Sequence, residues 1–147
     1  MRVARICRAD YPDLEGKGAA INAARWNSVG TVIVYTSSCS ALAVLEYRVH
    51  SKRAPTDLLL YRLKIPDSLP VERTEWTPDI STSRKFGDVW AKSMRSPILV
   101  VPSVVVPNQT NILLNPLHPA LLGNIAIIDK QSFLLDVRLF DLAMNGA

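Results

Sequence analysis

The run from Thr31 to Ser37, TVIVYTS, constrains the fold more than any other part of the chain. β-Branched and aromatic residues favour strands, and because this run is apolar on both faces it predicts a strand inside a sheet. The next segment, ALAVLEYRVH at 41–50, has the spacing of a helix that Ser38 or Ser40 would cap. The apolar stripe expected on that helix consists of Ala41, Leu42, Leu45 and Val49.

A second helix is predicted at residues 81–95, starting near Ser81 or Ser83. Gly87 inside it would cost about 1 kcal/mol relative to alanine. Because predicted strands outnumber helices, and only some are separated by helices, the pattern favours an α+β fold over a doubly wound one, with a mixed β-sheet and a few flanking helices. The remaining segments are strands at 2–7, 57–67 and 97–107 (the last kinking or ending at Pro102), loops at 13–24 and 108–119, and a strand pair at 124–140 around Asp129 and Lys130.

Composition narrows the class of protein. A chain of 147 residues, 48% hydrophobic and 20% charged, can bury a core as one domain, residues 1–147, which excludes a disordered protein. The formal net charge of +4 favours anionic small molecules or acidic partners. The basic residues are scattered rather than clustered, which argues against direct nucleic-acid binding.

Metal, disulfide and membrane signals are weak in this sequence. Cys7 and Cys39 make no disulfide framework, and His50 and His118 have the wrong spacing to complete a zinc site with them. No metal is therefore expected. The first residues lack the apolar segment of a signal peptide, and the longest apolar run is broken at Pro102, so a cytoplasmic protein without a membrane span is expected.

Arg25, Tyr35 and Glu46 are candidate binding residues because each lies in or beside an otherwise apolar element. Glu46 is either a solvated residue that pairs with Arg48 or Arg53, or a partly desolvated carboxylate. Tyr35 either packs its ring in the core or faces a ligand. Arg25 either stacks on its neighbour Trp26 or offers its guanidinium to a phosphate or carboxylate.

Ser103 is the fourth candidate, as a hydroxyl in an apolar strand directly after Pro102. A bulge there would turn it towards a pocket, although a hydrogen-bonded core serine has the same pattern. The chain contains no G-x-S-x-G, Walker or G-x-G-x-x-G motif. Residue pattern alone therefore leads to an α+β domain with a possible anion site.

Three segments of the chain match a known family in order and approximate spacing. They are RWNSVGTVIVYTSSCSALAVLEYRVH, GDVWAKSMRSPILVVPSVVVPNQTNILLNPLHP and FLLDVRLF. In these segments the chain resembles the RES domain, named for its Arg, Glu and Ser and found in toxins of bacterial toxin–antitoxin pairs. The resemblance implies a fold similar to that of ADP-ribosyltransferases, and it places the family's Arg, Tyr, Glu and Ser on Arg25, Tyr35, Glu46 and Ser103.

The resemblance also implies a chemistry, which is cleavage of NAD between nicotinamide and ribose. The acceptor would be inorganic phosphate in an NAD phosphorylase, water in a glycohydrolase, or a protein in an ADP-ribosyltransferase. Glu46 would hold the ribose and stabilise its growing positive charge. Arg25 would clamp the pyrophosphate or a neighbouring phosphate, and Tyr35 would stack on the nicotinamide or shape its pocket. Ser103 would bond the nicotinamide side or orient Glu46.

A partner follows from the same resemblance, namely a helix-turn-helix antitoxin of the Xre type that covers the cleft. Self-association into a homodimer is also left open. The alternative to an enzyme is a non-catalytic module that only binds the antitoxin. The chain departs from the family at Ala23 and Ala24, where two glycines are usual. If that backbone needed a positive φ, the alanines would introduce strain.

Overall fold

The structure, a computed structural model, describes residues 1–52, 54–75 and 79–140. Strands and helices alternate irregularly along these residues, as expected for an α+β protein. The elements in chain order are β1 (Arg2–Arg8), α1 (Lys17–Ile21), β2 (Val34–Ser37), α2 (Ser40–His50), β3 (Leu58–Lys64), β4 (Val71–Arg73), α3 (Ile80–Ser93), β5 (Ile98–Pro102), β6 (Thr110–Leu114) and β7 (Ala126–Phe133).

The strands form one seven-stranded sheet in the order β4-β5-β6-β2-β1-β3-β7. β4 pairs with β5 in parallel, and the other neighbouring strands are antiparallel, so the sheet is mixed. β2 lies at its centre between β6 and β1, as its two apolar faces predict. The predicted α+β fold with a mixed sheet is confirmed, although β2 begins only at Val34.

Three predictions about the loops and the last strands were wrong. The predicted loop at 108–119 contains β6, whose Ile112, Leu113 and Leu114 are buried beside β2, because tertiary contacts override the Asn- and Pro-rich flanks. The segment 124–140 forms a single strand, β7, which pairs with β3 rather than with itself. The predicted loop at 13–24 contains α1, which the Asp13 carboxylate holds by accepting hydrogen bonds from three backbone N–H groups.

The second helix of the fold, α2, is rotated relative to its predicted stripe. Leu42 and Ala43 are buried, whereas Leu45 and Val49 are 37% and 58% exposed. The predicted stripe is therefore right at Leu42 and wrong at Leu45 and Val49, because Ala43, Val44 and Tyr47 are the residues of this helix that pack into the cluster on the sheet. The N-cap is Cys39, without a side-chain hydrogen bond, in place of the predicted Ser38 or Ser40. This rotation leaves Glu46 half-buried rather than fully solvated.

The third helix, α3, starts at a cap that the sequence did not predict. The Asp79 carboxylate accepts a hydrogen bond from the Ser81 backbone N–H, so the cap precedes Ser81 and Ser83. Gly87 lies in the middle of the helix, and a Cβ added there would be only 1.7 Å from the Trp26 carbonyl oxygen. Glycine therefore allows the helix to approach the backbone of residues 24–28.

The core has two sides, separated by the sheet. One side forms a single apolar cluster that includes Val34, Val100, Ile112 and Leu121. The other side carries two clusters, one of which packs with α3 through Trp90 and one with α2 through Ala43.

No helix in the described residues is long and apolar enough to cross a membrane.

Polar residues lie between the two clusters of the helix-bearing side. Directly paired residues of antiparallel strands point to the same face. The pairs Tyr35–Leu113, Ser37–Asn111 and Ala4–Ser37 therefore share one face. Leu113 belongs to the cluster of α3 and Ala4 to the cluster of α2, so Ser37 and Asn111 lie in the polar gap between them.

Candidate functional site

The Glu46 carboxylate lies in this polar gap and accepts two side-chain hydrogen bonds. Ser103 Oγ donates to Glu46 Oε1 over 2.7 Å, and Asn111 Nδ2 donates to the same oxygen over 2.8 Å. Ser103 Oγ itself accepts hydrogen bonds from the backbone N–H groups of Val105 and Val106, each over 3.1 Å. The predicted contact between Ser103 and Glu46 is therefore present.

The alternative partners considered for Glu46 are placed elsewhere or are not described. Arg48 Nε donates to the Leu139 carbonyl oxygen over 2.9 Å, and its guanidinium carbon lies 4.1 Å from the centre of the Phe140 ring. Arg48 thus ties α2 to the segment that follows β7. Arg53 lies outside the described residues.

Asn111, which the sequence pattern did not single out, is a further candidate because its side chain contacts Glu46. Its Oδ1 accepts a hydrogen bond from Ser37 Oγ over 2.8 Å, so Ser37, Asn111 and Glu46 form a continuous chain. The signal was present, because Asn111 is the first asparagine of the N-x-LLNP pattern, and Ser37 ends the VYTS run. The prediction of a loop at 108–119 concealed that Asn111 faces β2.

Tyr35 uses its hydroxyl within the protein. Tyr35 Oη donates to Asn27 Oδ1 over 2.6 Å and accepts from the Trp26 backbone N–H over 3.2 Å. Burial raises the pKa of Tyr35 well above its ordinary value, and the Trp26 hydrogen bond offsets only part of that rise. The hydroxyl therefore stays protonated at neutral pH.

Asn27 holds together the turn that carries Arg25. Its side chain is fully buried, and its Nδ2 donates to the carbonyl oxygens of Ala19, Asn22 and Ser28 over 2.7, 3.1 and 3.2 Å. The Ala24 N–H donates to the Asn27 carbonyl oxygen over 3.0 Å, which closes the turn around Arg25. Arg25 is half-buried there.

One face of α3 contacts the same turn, which we call the Arg25 turn (residues 24–28). Arg84 Nε donates to the Ala24 carbonyl oxygen over 2.8 Å, and Gly87 lies against the Trp26 carbonyl. Asp88 accepts from the Ser28 N–H over 2.8 Å and from its hydroxyl over 2.6 Å. Positions three and four apart face the same way on a helix, so one helical turn makes all three contacts.

The hydrogen bonds from Ser28 keep Asp88 ionised. Burial alone would raise the pKa of the Asp88 carboxyl, but the hydrogen bonds outweigh burial, and the pKa lies below its ordinary value of 3.8.

Ala23 and Ala24, which precede Arg25, do not have the positive φ that would strain an alanine. Among the described residues, the non-glycine residues with positive φ are Met94 and Asn108, so Ala23 and Ala24 have ordinary backbone angles. The absence of the usual glycines therefore does not require a strained turn.

Glu46, Ser103 and Tyr35 lie in two hydrogen-bonded groups on one face of the sheet, and Arg25 belongs to the turn that Tyr35 contacts. Glu46 and Ser103 are in direct contact. Tyr35 contacts the Arg25 turn through Trp26 and Asn27. Tyr35 and Ser37 are two residues apart on β2, which is about 6.6 Å along a strand, so the two groups are neighbours.

Across the described parts of the chain, no three His, Cys, Asp or Glu side chains lie together as a metal site requires.

Proteins that are similar to this chain in sequence include two that are named as toxins. A protein of Sphingobium sp. (strain YBL2) named Prs ADP-ribosylating toxin is 42% identical over 129 residues, 79% of this chain and 79% of that protein. A Pseudomonas putida protein named Toxin Res is 32% identical over 139 residues, 88% of this chain and 94% of that protein.

A solved structure shares the fold. A chain of the M. tuberculosis MbcT–MbcA toxin–antitoxin complex superposes with a TM-score of 0.74 at 14% identity, covering 90% of this chain and 84% of that chain. The family model of the RES domain matches residues 2–136. The match spans every strand and helix described above, together with Arg25, Tyr35, Glu46 and Ser103, and the chain therefore belongs to the RES domain family.

Proposed function

We propose that this protein is a toxin that consumes NAD by breaking the bond between nicotinamide and ribose, with inorganic phosphate or water as acceptor. The observation that supports this most strongly is the position of Glu46. Its carboxylate is held in the polar gap by Ser103, on the same face of the sheet on which Tyr35 contacts the Arg25 turn. Residues 1–147 would act as one NAD-binding domain.

In the proposed reaction the electron pair of the C1′–N bond leaves with neutral nicotinamide. An oxygen of phosphate or water attacks C1′, and its proton passes to solvent. The ribose carries positive charge as the bond breaks. Glu46 would stabilise this charge electrostatically and bind a ribose hydroxyl through its carboxylate. The side chains named here require no metal for these steps.

The other site residues would bind and orient NAD. Arg25 would pair with the pyrophosphate, for which its guanidinium has matching geometry. Tyr35 would present its ring to the nicotinamide side, because its hydroxyl is already bonded to Asn27 and Trp26. Ser103 would orient Glu46, since its hydroxyl donates to that carboxylate.

A second function, transfer of ADP-ribose to a protein, is favoured by one relative. The Sphingobium protein that is 42% identical carries the name Prs ADP-ribosylating toxin. Transfer shares bond cleavage and the roles of Glu46 and Arg25, and it differs only in the acceptor. A protein side chain then replaces phosphate or water.

The proposed partner is an antitoxin protein. Relatives bear the name Toxin Res, and the solved structure with the same fold is a toxin–antitoxin complex. An antitoxin with an Xre-type helix-turn-helix domain would inhibit by covering the site. We place the protein in the cytoplasm, where NAD is available, and a homodimer is compatible with this proposal.

The test is NAD consumption by the purified chain with and without inorganic phosphate, using Glu46→Gln and the surface control Glu15→Gln. We expect Glu46→Gln to lower kcat by at least about 100-fold, as loss of a charge-stabilising group does, and Glu15→Gln to leave it unchanged. Glu15 is exposed and pairs only with Lys17 among the described residues.

The outcomes separate the candidate functions. NAD loss that requires phosphate indicates a phosphorylase, and loss without phosphate indicates a glycohydrolase. Label from NAD that stays on a protein indicates ADP-ribosyl transfer. No loss of NAD by folded protein, with or without candidate acceptor proteins, would contradict the enzymatic proposal and leave a module that binds its antitoxin.

A further inference from the structure

The chain of hydrogen bonds from Ser37 through Asn111 to Glu46 has one allowed direction. A carboxylate only accepts hydrogen bonds, so the Asn111 NH₂ group must face Glu46. The Asn111 carbonyl oxygen then faces Ser37, whose hydroxyl must donate to it. The observed contacts have this direction, with both distances 2.8 Å.

The position of Asn111 is fixed by the centre of the sheet. Asn111 and Ser37 are directly paired residues of β6 and β2, and the Ser37 side chain is buried. Glu46 instead lies on α2, which only packs against the sheet. The hydrogen bond from Asn111 therefore ties a helix side chain to the paired central strands of the sheet.

The two donors leave one oxygen of the Glu46 carboxylate available. Within the described residues, both Ser103 and Asn111 bind Oε1. Two donors in different directions on one oxygen restrict rotation of the carboxylate. Oε2 is then the oxygen that can accept a hydrogen bond from a bound ligand.

We propose that Asn111, oriented by Ser37, is a positioning residue that holds Glu46 with Oε2 turned towards the substrate ribose. This rests on the proposed function for the identity of the substrate. A carboxylate that must stabilise a charge in the transition state has to be held before the reaction, because reorientation during the reaction would cost part of its effect. Asn111 itself touches no reacting atom in this proposal.

The first test is steady-state NAD consumption by Asn111→Ala. We expect kcat to fall about 10- to 100-fold, the effect of losing one hydrogen bond to a charged group, with KM within about 2-fold of wild type. Ser37→Ala should lower kcat less, because the amide can still donate to Glu46. The double variant should be no worse than Asn111→Ala alone, since Ser37 acts only through Asn111.

Asn115→Ala is the matched control. Asn115 is buried, whereas Asn111 is half-buried, and it follows β6; its amide donates to the Ala91 carbonyl oxygen, and its Oδ1 accepts from the Leu117 N–H. This variant should lower the melting temperature while kcat of the folded protein stays at the wild-type value.

Several results would overturn the proposal. These are a wild-type kcat for Asn111→Ala, a change confined to KM or to melting temperature, or additive losses in the double variant. If the wild type consumes no NAD, the proposed function fails by itself, and crystal structures of wild type and Asn111→Ala then decide the positioning role. A displaced Glu46 carboxylate in the variant supports it, whereas Oε1 still within about 3 Å of Ser103 Oγ contradicts it.

Discussion

Glu46 and the Arg25 turn lie on the same face of the sheet but are held in different ways. Glu46 is oriented by two side-chain donors, Ser103 and Asn111. The Arg25 turn is held mainly through its backbone, by Asn27, by Arg84 and by the close approach of Gly87. A side chain that only orients one carboxylate can be replaced without loss of the fold. A substitution that disturbs backbone contacts between elements cannot be made without destabilising the fold. Variants beside Glu46 should therefore affect turnover more than stability, and variants beside the Arg25 turn should affect stability first.

The strongest test of this difference is Gly87→Ala. Alanine normally stabilises a helix by about 1 kcal/mol relative to glycine. Here the new Cβ would lie 1.7 Å from the Trp26 carbonyl oxygen, so α3 must move away from the Arg25 turn. We expect a net loss of about 3 kcal/mol in the free energy of unfolding, in the range of overpacked sites. Urea unfolding measures it.

The exposed neighbour Lys85 provides the control for Gly87→Ala. Lys85→Ala on the same helix should change the unfolding free energy by less than about 0.5 kcal/mol. A Gly87→Ala protein as stable as wild type would show that α3 does not require its close contact with Trp26.

Ser103→Ala tests the other region. It removes one donor to Glu46 and the acceptor of the Val105 and Val106 N–H groups. We expect kcat for NAD to fall about 10- to 100-fold, with a loss of stability of only about 1 kcal/mol. Parallel measurement of kcat and urea unfolding checks both values. A fall in stability of about 3 kcal/mol, as expected for Gly87→Ala, would remove the distinction between the two regions.

The smallest expected effect is that of Asp88→Asn, and it depends on pH. The pKa of Asp88 is below 3.8 in the folded protein, because the hydrogen bonds from Ser28 outweigh burial. Its contribution to stability is therefore complete above the unfolded value near 3.8 and is lost as pH falls through the lower folded value. At pH 7 we expect Asp88→Asn to be about 1 kcal/mol less stable than wild type.

Urea midpoints of both proteins between pH 7 and pH 2 check this dependence. The difference between wild type and Asp88→Asn should shrink as pH falls below about 4. A difference that is constant over this range would mean that the Asp88 charge does not hold the Arg25 turn.

Local sequence patterns correctly predicted the elements in which the spacing of apolar residues agrees with their burial in the structure. The run ending at Ser37 is the central strand, the helix after it occupies Ser40–His50, and β5 ends at Pro102 as predicted. Local pattern failed at β6, because the asparagines and prolines around Ile112–Leu114 indicate a loop, and only pairing with β2 and β5 makes a strand there. It also failed for the buried side of α2.

The sequence by itself determined the family, the α+β fold and the identity of four candidate site residues, because these depend on residue types in a fixed order. The tertiary structure decided how those residues are held. The rotation of α2 turns Glu46 towards the sheet, and the register of β2 and β6 brings Asn111 to it. Both depend on contacts between residues far apart in the chain, such as the 65 positions between Glu46 and Asn111, which local periodicity does not encode.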